Sequence, residues 1–172
     1  MKTLLILRHA KSSWRDDSLP DHDRPLNKRG KHDAPLVGRL MREKGLLPNL
    51  ILSSTAKRAR STVELVAEES GFEGKIEYSR ELYAAEPEAY TEALAELPDK
   101  FDTVMVVGHN PGLEQFLEEL TGDYHALPTA TLAWVTLPIQ SWAEVFDKAE
   151  GKLVNIWRPR EIGNISSDAF KV

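Results

Sequence analysis

Cysteine is absent from the 172-residue chain. Its absence excludes disulfide bonds, zinc sites built on thiolates, and any phosphatase mechanism that uses a cysteine nucleophile. Long apolar runs are also lacking, and none approaches the length of a transmembrane helix. The apolar start of the chain stops at Arg8 and His9, which is too short for a secretory signal, and no small-residue cleavage site follows. The sequence therefore predicts a soluble protein and is consistent with a cytoplasmic location.

An excess of positive charge is missing as well. The chain has 22 basic and 27 acidic residues, a net charge of −5, and its charges of both signs are mixed. Without a basic run, we predict no nucleic-acid partner and no membrane surface as a partner. The length and the absence of repeats or linkers predict one domain over residues 1–158, followed by a C-terminal tail at 159–172. The oligomeric state is left open.

Short apolar runs alternate with longer amphipathic segments, which is typical of an α/β domain. We predict strands at residues 3–7, 50–52, 75–78, 103–107, 132–137 and 153–157. We predict helices at residues 28–44, 55–70, 87–97 and 111–120, with glycine or proline at several of their boundaries. The segment 103–107 has the clearest strand pattern, and 75–78 has the pattern of a weak edge strand.

Two of these strands end alike, each with a histidine after its apolar run. The first ends in Leu-Arg-His-Ala, with Arg8 and His9, and the fourth ends in Val-Gly-His-Asn, with His109 and Asn110. Ligands of open parallel sheets bind at the carboxyl ends of strands, so His9 and His109 are expected to face each other there. A single strand-end histidine is more often an ordinary polar residue, so the hypothesis depends on the pair.

A third element of the pattern follows the second strand. There Ser54 or Thr55 could cap the next helix, and Arg58 falls in or near its first turn. A helix N-terminus offers free N–H groups to an anion, and a neighbouring guanidinium suits phosphate oxygens. Taken alone, Lys57, Arg58 and Arg60 read as a solvated helix face.

Four residues of these motifs would together form a cationic pocket around a nucleophilic nitrogen: Arg8, His9, Arg58 and His109. Such a pocket suits phosphoryl transfer, where catalysis is mostly positioning and stabilisation of charge on the phosphoryl oxygens. A neutral imidazole is a nucleophile near neutral pH and needs no metal ion.

The ordered set of motifs resembles the histidine phosphatase superfamily, the relatives of phosphoglycerate mutase. The residues that support the resemblance are Arg8-His9-Ala10, Ser53-Ser54, Arg58-Ala59, Thr62 and Gly108-His109-Asn110. Residues 8–14 and 23–30 are similar in particular to SixA-type phosphohistidine phosphatases, and the match runs from Met1 to about Leu137. The resemblance implies a three-layer α/β/α sandwich with a mostly parallel central sheet, as in phosphoglycerate mutase.

The resemblance also implies roles. His9 is the expected phosphoryl acceptor, and the expected substrate is phosphohistidine in a protein or a small phosphoramidate. The expected partners of His9 in catalysis are Arg8, Arg58 and His109. The expected substrate-binding residues are Ser12 and Asn110. No metal and no other cofactor is implied.

Two positions depart from the family pattern. Ala10 replaces the usual glycine after the nucleophile, and Ala84 stands where many relatives carry a glutamate that protonates the leaving group. A leaving imidazole, with a pKa of about 6.5, needs such an acid far less than an alkoxide does. The departure therefore fits a substrate with a P–N bond, although Glu81 or Glu86 could replace the acid.

Other interpretations remain open at this stage. A mutase or phosphatase of small sugar or alkyl phosphates would use the same histidine chemistry, and a phosphoprotein-binding module would keep only a vestigial site. Asp21-His22-Asp23 resembles a metal-ligand triplet, but adjacent residues rarely converge on one ion. Trp14, in the loop after the nucleophile, is the tryptophan expected to border the pocket.

Overall fold

The computed structural model describes residues 1–147 and 150–162 of the chain. Its six strands are β1 (Lys2–Arg8), β2 (Leu50–Ser54), β3 (Lys75–Ser79), β4 (Thr103–Gly108), β5 (Leu132–Leu137) and β6 (Lys152–Trp157). They form one sheet in the order β3-β2-β4-β1-β5-β6. All pairs from β3 to β1 are parallel, and only β5 runs against its neighbours. The mostly parallel sheet, with β3 at an edge, is thus confirmed.

The helices cover both faces of this sheet. They are α1 (Lys28–Lys44), α2 (Lys57–Ser70), α3 (Pro87–Ala95) and α4 (Gly112–Thr121), with short 3-10 helices at Asp21–Asp23, Arg80–Leu82 and Trp142–Asp147. Alternate side chains of β1 point to opposite faces. Leu4 and Ile6 belong to the core under α3 and α4, whereas Leu5 and Leu7 belong to the core under α1 and α2. The predicted three-layer sandwich is confirmed.

The order of connections opens a crevice between β1 and β4. The chain leaves β1 through α1 for β2, on the far side of β4, and leaves β4 through α4 for β5, on the far side of β1. The two connections therefore diverge at the carboxyl ends of two adjacent parallel strands. This is the place at which open α/β sheets bind their ligands.

The start of α2 differs from the prediction. The helix begins at Lys57 rather than at residue 55, and its N-cap is Ala56, which makes no side-chain capping bond. Ser54 Oγ accepts the Ala56 N–H at 3.1 Å, before the helix begins, and Thr55 Oγ1 bonds to His22. Neither Ser54 nor Thr55 is the helix cap because both hydroxyls have other partners.

The predicted C-terminal tail falls largely outside the described residues, which end at Ile162. Pro159 and Ile162 are buried, and Ile162 packs in the core beneath α1 and α2. The division at residue 158 therefore stays a prediction. Among the described residues, no helix has both the length and the apolar character needed to cross a membrane.

A first prediction concerns Gly112, which opens α4 beside the loop that follows β3. A Cβ at this position would overlap the carbonyl oxygen of Ala85. We expect Gly112→Ala to lower the free energy of unfolding by about 1–3 kcal/mol, because backbone must shift to admit the methyl group. Urea unfolding measures this, and Gln115→Ala, at an exposed position of the same helix, is the control. Equal stability of Gly112→Ala and wild type would show that this contact is not tight.

Candidate active site

The two strand-end histidines lie side by side. Arg8 pairs with Gly108 in the parallel β1–β4 register, so His9 and His109 follow at the same level. The backbone N–H of His9 donates to the carbonyl of Gly108, and the two imidazole centroids are 5.0 Å apart with a tilt of 50°. Each residue is only 6 % exposed. The predicted juxtaposition is confirmed.

The protonation of His9 is set by a backbone carbonyl. Its Nδ1 lies 2.7 Å from the carbonyl oxygen of Ala10, which can only accept a hydrogen bond. Nδ1 therefore carries the ring proton, and Nε2 keeps its lone pair. Burial lowers the pKa of His9 to about 3, and His109, Arg58 and Arg8 disfavour its cation further. At neutral pH the ring is an uncharged imidazole with a nucleophilic Nε2.

His109 is held by Ser54, a residue to which the sequence analysis gave no role at the pocket. His109 Nε2 lies 2.8 Å from Ser54 Oγ, which already accepts the Ala56 N–H. When the Ser54 hydroxyl donates to Nε2, the ring proton of His109 resides on Nδ1, a buried atom without a partner in the described part of the chain. Burial, and then the charge of Arg58, lowers the pKa of His109 to about 4.

Two arginines complete the pocket. Arg8 Nη1 donates to the carbonyl of Leu127 at 3.1 Å, and Arg58 donates to both the carbonyl and the carboxylate of Asp21, at 2.8 and 3.0 Å. The Nε atom of each guanidinium is buried and has no partner among the described residues. Both charges lower the pKa values of both histidines, as expected for groups arranged around one space. Buried donors without partners are costly, so they indicate an anion site.

Thr62 connects the nucleophile segment to α2. Its hydroxyl accepts the backbone N–H of Ala10 at 2.9 Å and donates to the carbonyl of Arg58 at 2.7 Å. The side chain is fully buried. One threonine thereby fixes the distance between the residue after His9 and the helix turn that presents Arg58.

Asp21 and Tyr83 are pocket residues that the sequence analysis did not assign. The Asp21 carboxylate accepts from Arg24 Nε at 3.0 Å, from Arg58 Nη2 at 3.0 Å and from the Tyr83 hydroxyl at 2.6 Å. These bonds, that of Tyr83 first, hold the pKa of Asp21 well below its usual range. The Tyr83 ring packs edge-on against His109, with centroids 5.6 Å apart. The only sequence signal for Tyr83 was its place beside Ala84.

The Asp21-His22-Asp23 triplet is used for hydrogen bonds to protein groups. Asp21 contacts the donors just described, and His22 Nε2 lies 2.8 Å from Thr55 Oγ1. Within residues 1–147 and 150–162, no three histidine or acidic side chains converge as a metal-binding group. The triplet forms a one-turn 3-10 helix that presents Asp21 to Arg58.

Ser12, Asn110 and Trp14 lie around the pocket in different ways. Ser12 Oγ accepts from Arg24 Nη1 at 2.7 Å and so joins the Asp21 cluster. Asn110 Nδ2 donates to Leu127 at 2.8 Å, while its buried Oδ1 lacks a partner in the described chain. Trp14 is 75 % exposed and stacks on Arg24, whose guanidinium carbon is 3.5 Å from the ring centroid.

The loop after β3 offers no carboxylate to the pocket. Ala84 is exposed and has a left-handed backbone with φ of 51°. Glu86 lines an acidic depression with residues of α4, and Glu81 lines a groove near the β3 edge. Among the described residues, neither side chain is hydrogen-bonded to a group of the histidine pocket.

The site has counterparts in known proteins. Residues 4–102 match the histidine phosphatase superfamily (branch 1). An uncharacterized chloroplastic protein of Arabidopsis thaliana is 39% identical over 154 residues, which cover 84% of this chain and 71% of the relative. The crystal structure of the putative phosphohistidine phosphatase SixA from Agrobacterium tumefaciens has a TM-score of 0.80 and 30% identity, over 92% of this chain and 98% of that one. The protein histidine phosphatase SixA complexed with tungstate has the same fold, with a TM-score of 0.79 at 22% identity over 92% and 97% of the two chains. The chain therefore belongs to the histidine phosphatase superfamily, is of the SixA type, and is a phosphatase.

Proposed function

We propose that the chain is a metal-independent phosphohistidine phosphatase that forms a phosphohistidine intermediate on His9. Its substrate is phosphohistidine in a protein or a small phosphoramidate. The observation that supports this best is the pocket itself. A neutral imidazole with a free Nε2 stands among three buried nitrogen atoms that lack partners in the described chain: Nε of Arg8, Nε of Arg58 and Nδ1 of His109. The two arginine nitrogens are donors, and Nδ1 is a third donor in the tautomer in which Ser54 donates to Nε2.

The first half of the reaction transfers the phosphoryl group to His9. Nε2 forms a bond to phosphorus while the bond between phosphorus and the leaving nitrogen breaks. The three donors bind the phosphoryl oxygens, where negative charge accumulates in the transition state. As Nε2 gains its bond, positive charge develops on the ring of His9. The Ala10 carbonyl, which accepts the Nδ1 proton, stabilises that charge.

The second half regenerates the enzyme. A water molecule attacks the phosphorus, the P–Nε2 bond breaks, and the electron pair of that bond returns to Nε2. Inorganic phosphate leaves with the oxygen and both hydrogens of the water. His9 returns to the neutral imidazole favoured by burial, with its proton still on Nδ1. The cationic groups at the phosphate are those of Arg8 and Arg58, which serve the role that a metal ion has in many other phosphatases.

The leaving group is the basis for the choice of substrate. Among the described residues, the loop around Ala84 offers the pocket no acid. The carboxyl group of Asp21 lies near this loop, but hydrogen bonds keep its pKa well below the usual range, so it stays ionised. The hydroxyl of this loop belongs to Tyr83, which donates to Asp21. That bond raises the pKa of Tyr83, so its hydroxyl is a poor proton donor to an alkoxide. The imidazole of phosphohistidine departs in its neutral form once its other ring nitrogen carries a proton, so that protonation replaces an acid on the enzyme. The site therefore favours a P–N bond over the alkyl phosphates of the alternative hypothesis.

A second prediction tests the nucleophile. We expect His9→Ala to remove both turnover and labelling by a radioactive phosphoryl donor, because Nε2 is the acceptor. Wild type should give a phosphoenzyme that is labile in acid, as phosphohistidine is. Arg58→Ala should keep the nucleophile but lose about 10²–10³ in kcat/KM, since it removes a positioned donor. Arg60→Ala, an exposed neighbour on α2, is the control. An acid-stable phosphoenzyme would contradict the assignment.

A third prediction uses the lowered pKa values of the two histidines. In the unfolded chain both histidines have a pKa of about 6.5, so between about pH 4 and 6.5 the unfolded state binds more protons than the folded state. The free energy of unfolding should therefore decrease as the pH falls through this range, by about 1.4 kcal/mol per pH unit for each histidine. We expect His9→Gln to make this slope shallower by that amount in urea unfolding series. Exposed His32→Gln is the control, and an unchanged slope in His9→Gln would mean that His9 titrates normally.

A fourth prediction concerns selectivity. Because general acid help is worth roughly 10²–10⁴, a phosphate ester that leaves as an alkoxide should be cleaved that much more slowly than phosphohistidine. p-Nitrophenyl phosphate should be a fair substrate, since its phenolate leaves without a proton. We would compare kcat/KM for phosphohistidine, p-nitrophenyl phosphate, phosphoserine and glycerol phosphate with EDTA present. Equal rates on phosphoserine would reveal an acid, with Glu81→Gln and Glu86→Gln as the next variants. Loss of all activity in EDTA would reveal a metal.

A further inference from the structure

A groove beside the catalytic pocket concentrates positive charge. Lys11, Arg29, Arg158 and Arg160 line it together with Thr129 and a single carboxylate, that of Asp33. The Asp33 side chain is only 7 % exposed and is paired with Arg29, whose own side chain is 60 % exposed. Arg158 is in turn paired with Glu161 at 3.6 Å, so Lys11 and Arg160 are the groove cations without a carboxylate partner among the described residues. The groove still has an excess of positive charge, in a chain whose net charge is −5.

The groove lies at the same edge of the sheet as the two histidines. Lys11 is two residues beyond His9, and Arg158 directly follows the end of β6, which runs in the same direction as β1. Arg29 lies in the first turn of α1, where the chain returns from the loop after β1. All three elements therefore bring their charges to the same edge of the sheet as the crevice, and β5 lies between β6 and β1.

One short loop separates the groove from the pocket. Residues 126–130 contribute the Leu127 carbonyl to Arg8 on the pocket side and the Ala126 carbonyl to Arg158 on the groove side. The Ala130 N–H donates to the carbonyl of His9 at 3.0 Å. The groove is thus one loop away from His9, and a segment next to a phosphorylated side chain bound there has a short path into it.

Negative charge is concentrated on the other face of the sheet, which α3 and α4 cover. The depression between α3 and α4 is lined by Glu86, Glu88, Glu118 and Glu119. An acidic partner is therefore attracted at the groove and repelled at the α3–α4 face, which orients its approach. A small phosphoramidate fills the pocket alone and has no group that reaches the groove.

We propose that this basic groove docks an acidic segment of a phosphoprotein substrate, next to its phosphohistidine. The inference rests on the proposed function and narrows it from small phosphoramidates to proteins with acidic residues near the phosphorylated side chain. The groove acts on recognition and leaves the chemical step at His9 unchanged.

The test compares two arginine pairs on peptide substrates. Arg29→Gln/Arg160→Gln removes one ion-paired and one exposed arginine from the groove. The control variant, Arg39→Gln/Arg42→Gln, removes two arginines of the same kinds outside the groove. Arg39 is ion-paired with Glu69 at 3.2 Å, and Arg42 is exposed. The substrates are phosphohistidine peptides flanked either by four glutamates or by four glutamines, together with p-nitrophenyl phosphate.

We expect wild type to prefer the glutamate peptide in kcat/KM by about three- to tenfold at low salt, given the modest strength of exposed charge pairs. The preference should vanish at high salt and in the groove variant, but persist in the control pair. Hydrolysis of p-nitrophenyl phosphate should be equal in all three proteins. A preference that survives in the groove variant, or no preference in wild type, would overturn the proposal.

A binding measurement separates this proposal from the proposed function. Fluorescence anisotropy with the unphosphorylated glutamate peptide needs no catalysis, and the groove variant should bind it several-fold more weakly than wild type. If wild type cleaves p-nitrophenyl phosphate but neither phosphohistidine peptide, the phosphohistidine function fails. In that case an unchanged Kd in the groove variant would overturn the groove as well, whereas a weakened one would uphold it as an acidic-segment site.

Discussion

The site depends on the parallel pairing of β1 with β4. That pairing sets Arg8 and Gly108 level with each other. Because a histidine follows each of them, the two imidazoles lie at the same height. Hydrogen bonds of the ladder hold this register without any help from the imidazoles. A slip of one residue would turn one histidine toward the other face of the sheet. The nucleophile and its partner are therefore placed by two adjacent central strands of the sheet.

Around this fixed pair, the charged groups are held by a separate network. Asp21 accepts three bonds at once, from Arg24, Arg58 and Tyr83. It fixes the outer nitrogens of Arg58 and leaves Nε as the buried donor of the pocket. A carboxylate next to a phosphate site costs some attraction for the anion, but it also restricts the guanidinium to one orientation. The sheet thus places the two histidines, and the polar cluster orients the arginine. Thr62 connects them through its hydrogen bonds to Ala10 and Arg58.

The sequence was informative wherever a residue type has one dominant structural preference. Continuous apolar runs identified the central strands, and the repeated strand-end histidine located the crevice, since strand ends are the usual site in such sheets. Asp21 and Ser54 were missed in their actual roles because their function depends on side chains more than thirty residues away. The start of α2 was wrong for the same reason, since Thr55 bonds to His22 instead of capping the helix. Local patterns cannot reveal such long-range hydrogen bonds.

The left-handed backbone of Ala84 limits which side chains this position can carry without strain. Its φ of 51° is a conformation that a residue with a Cβ adopts only at a cost of about 1–2 kcal/mol, and the residue is exposed. A glutamate substituted at this position would therefore stand on a strained stretch of backbone. The loop has little freedom to adjust on this side, because the carbonyl oxygen of Ala85 packs closely on Gly112. Under the proposed function, a glutamate at position 84 alone would therefore not extend activity to alkyl phosphates.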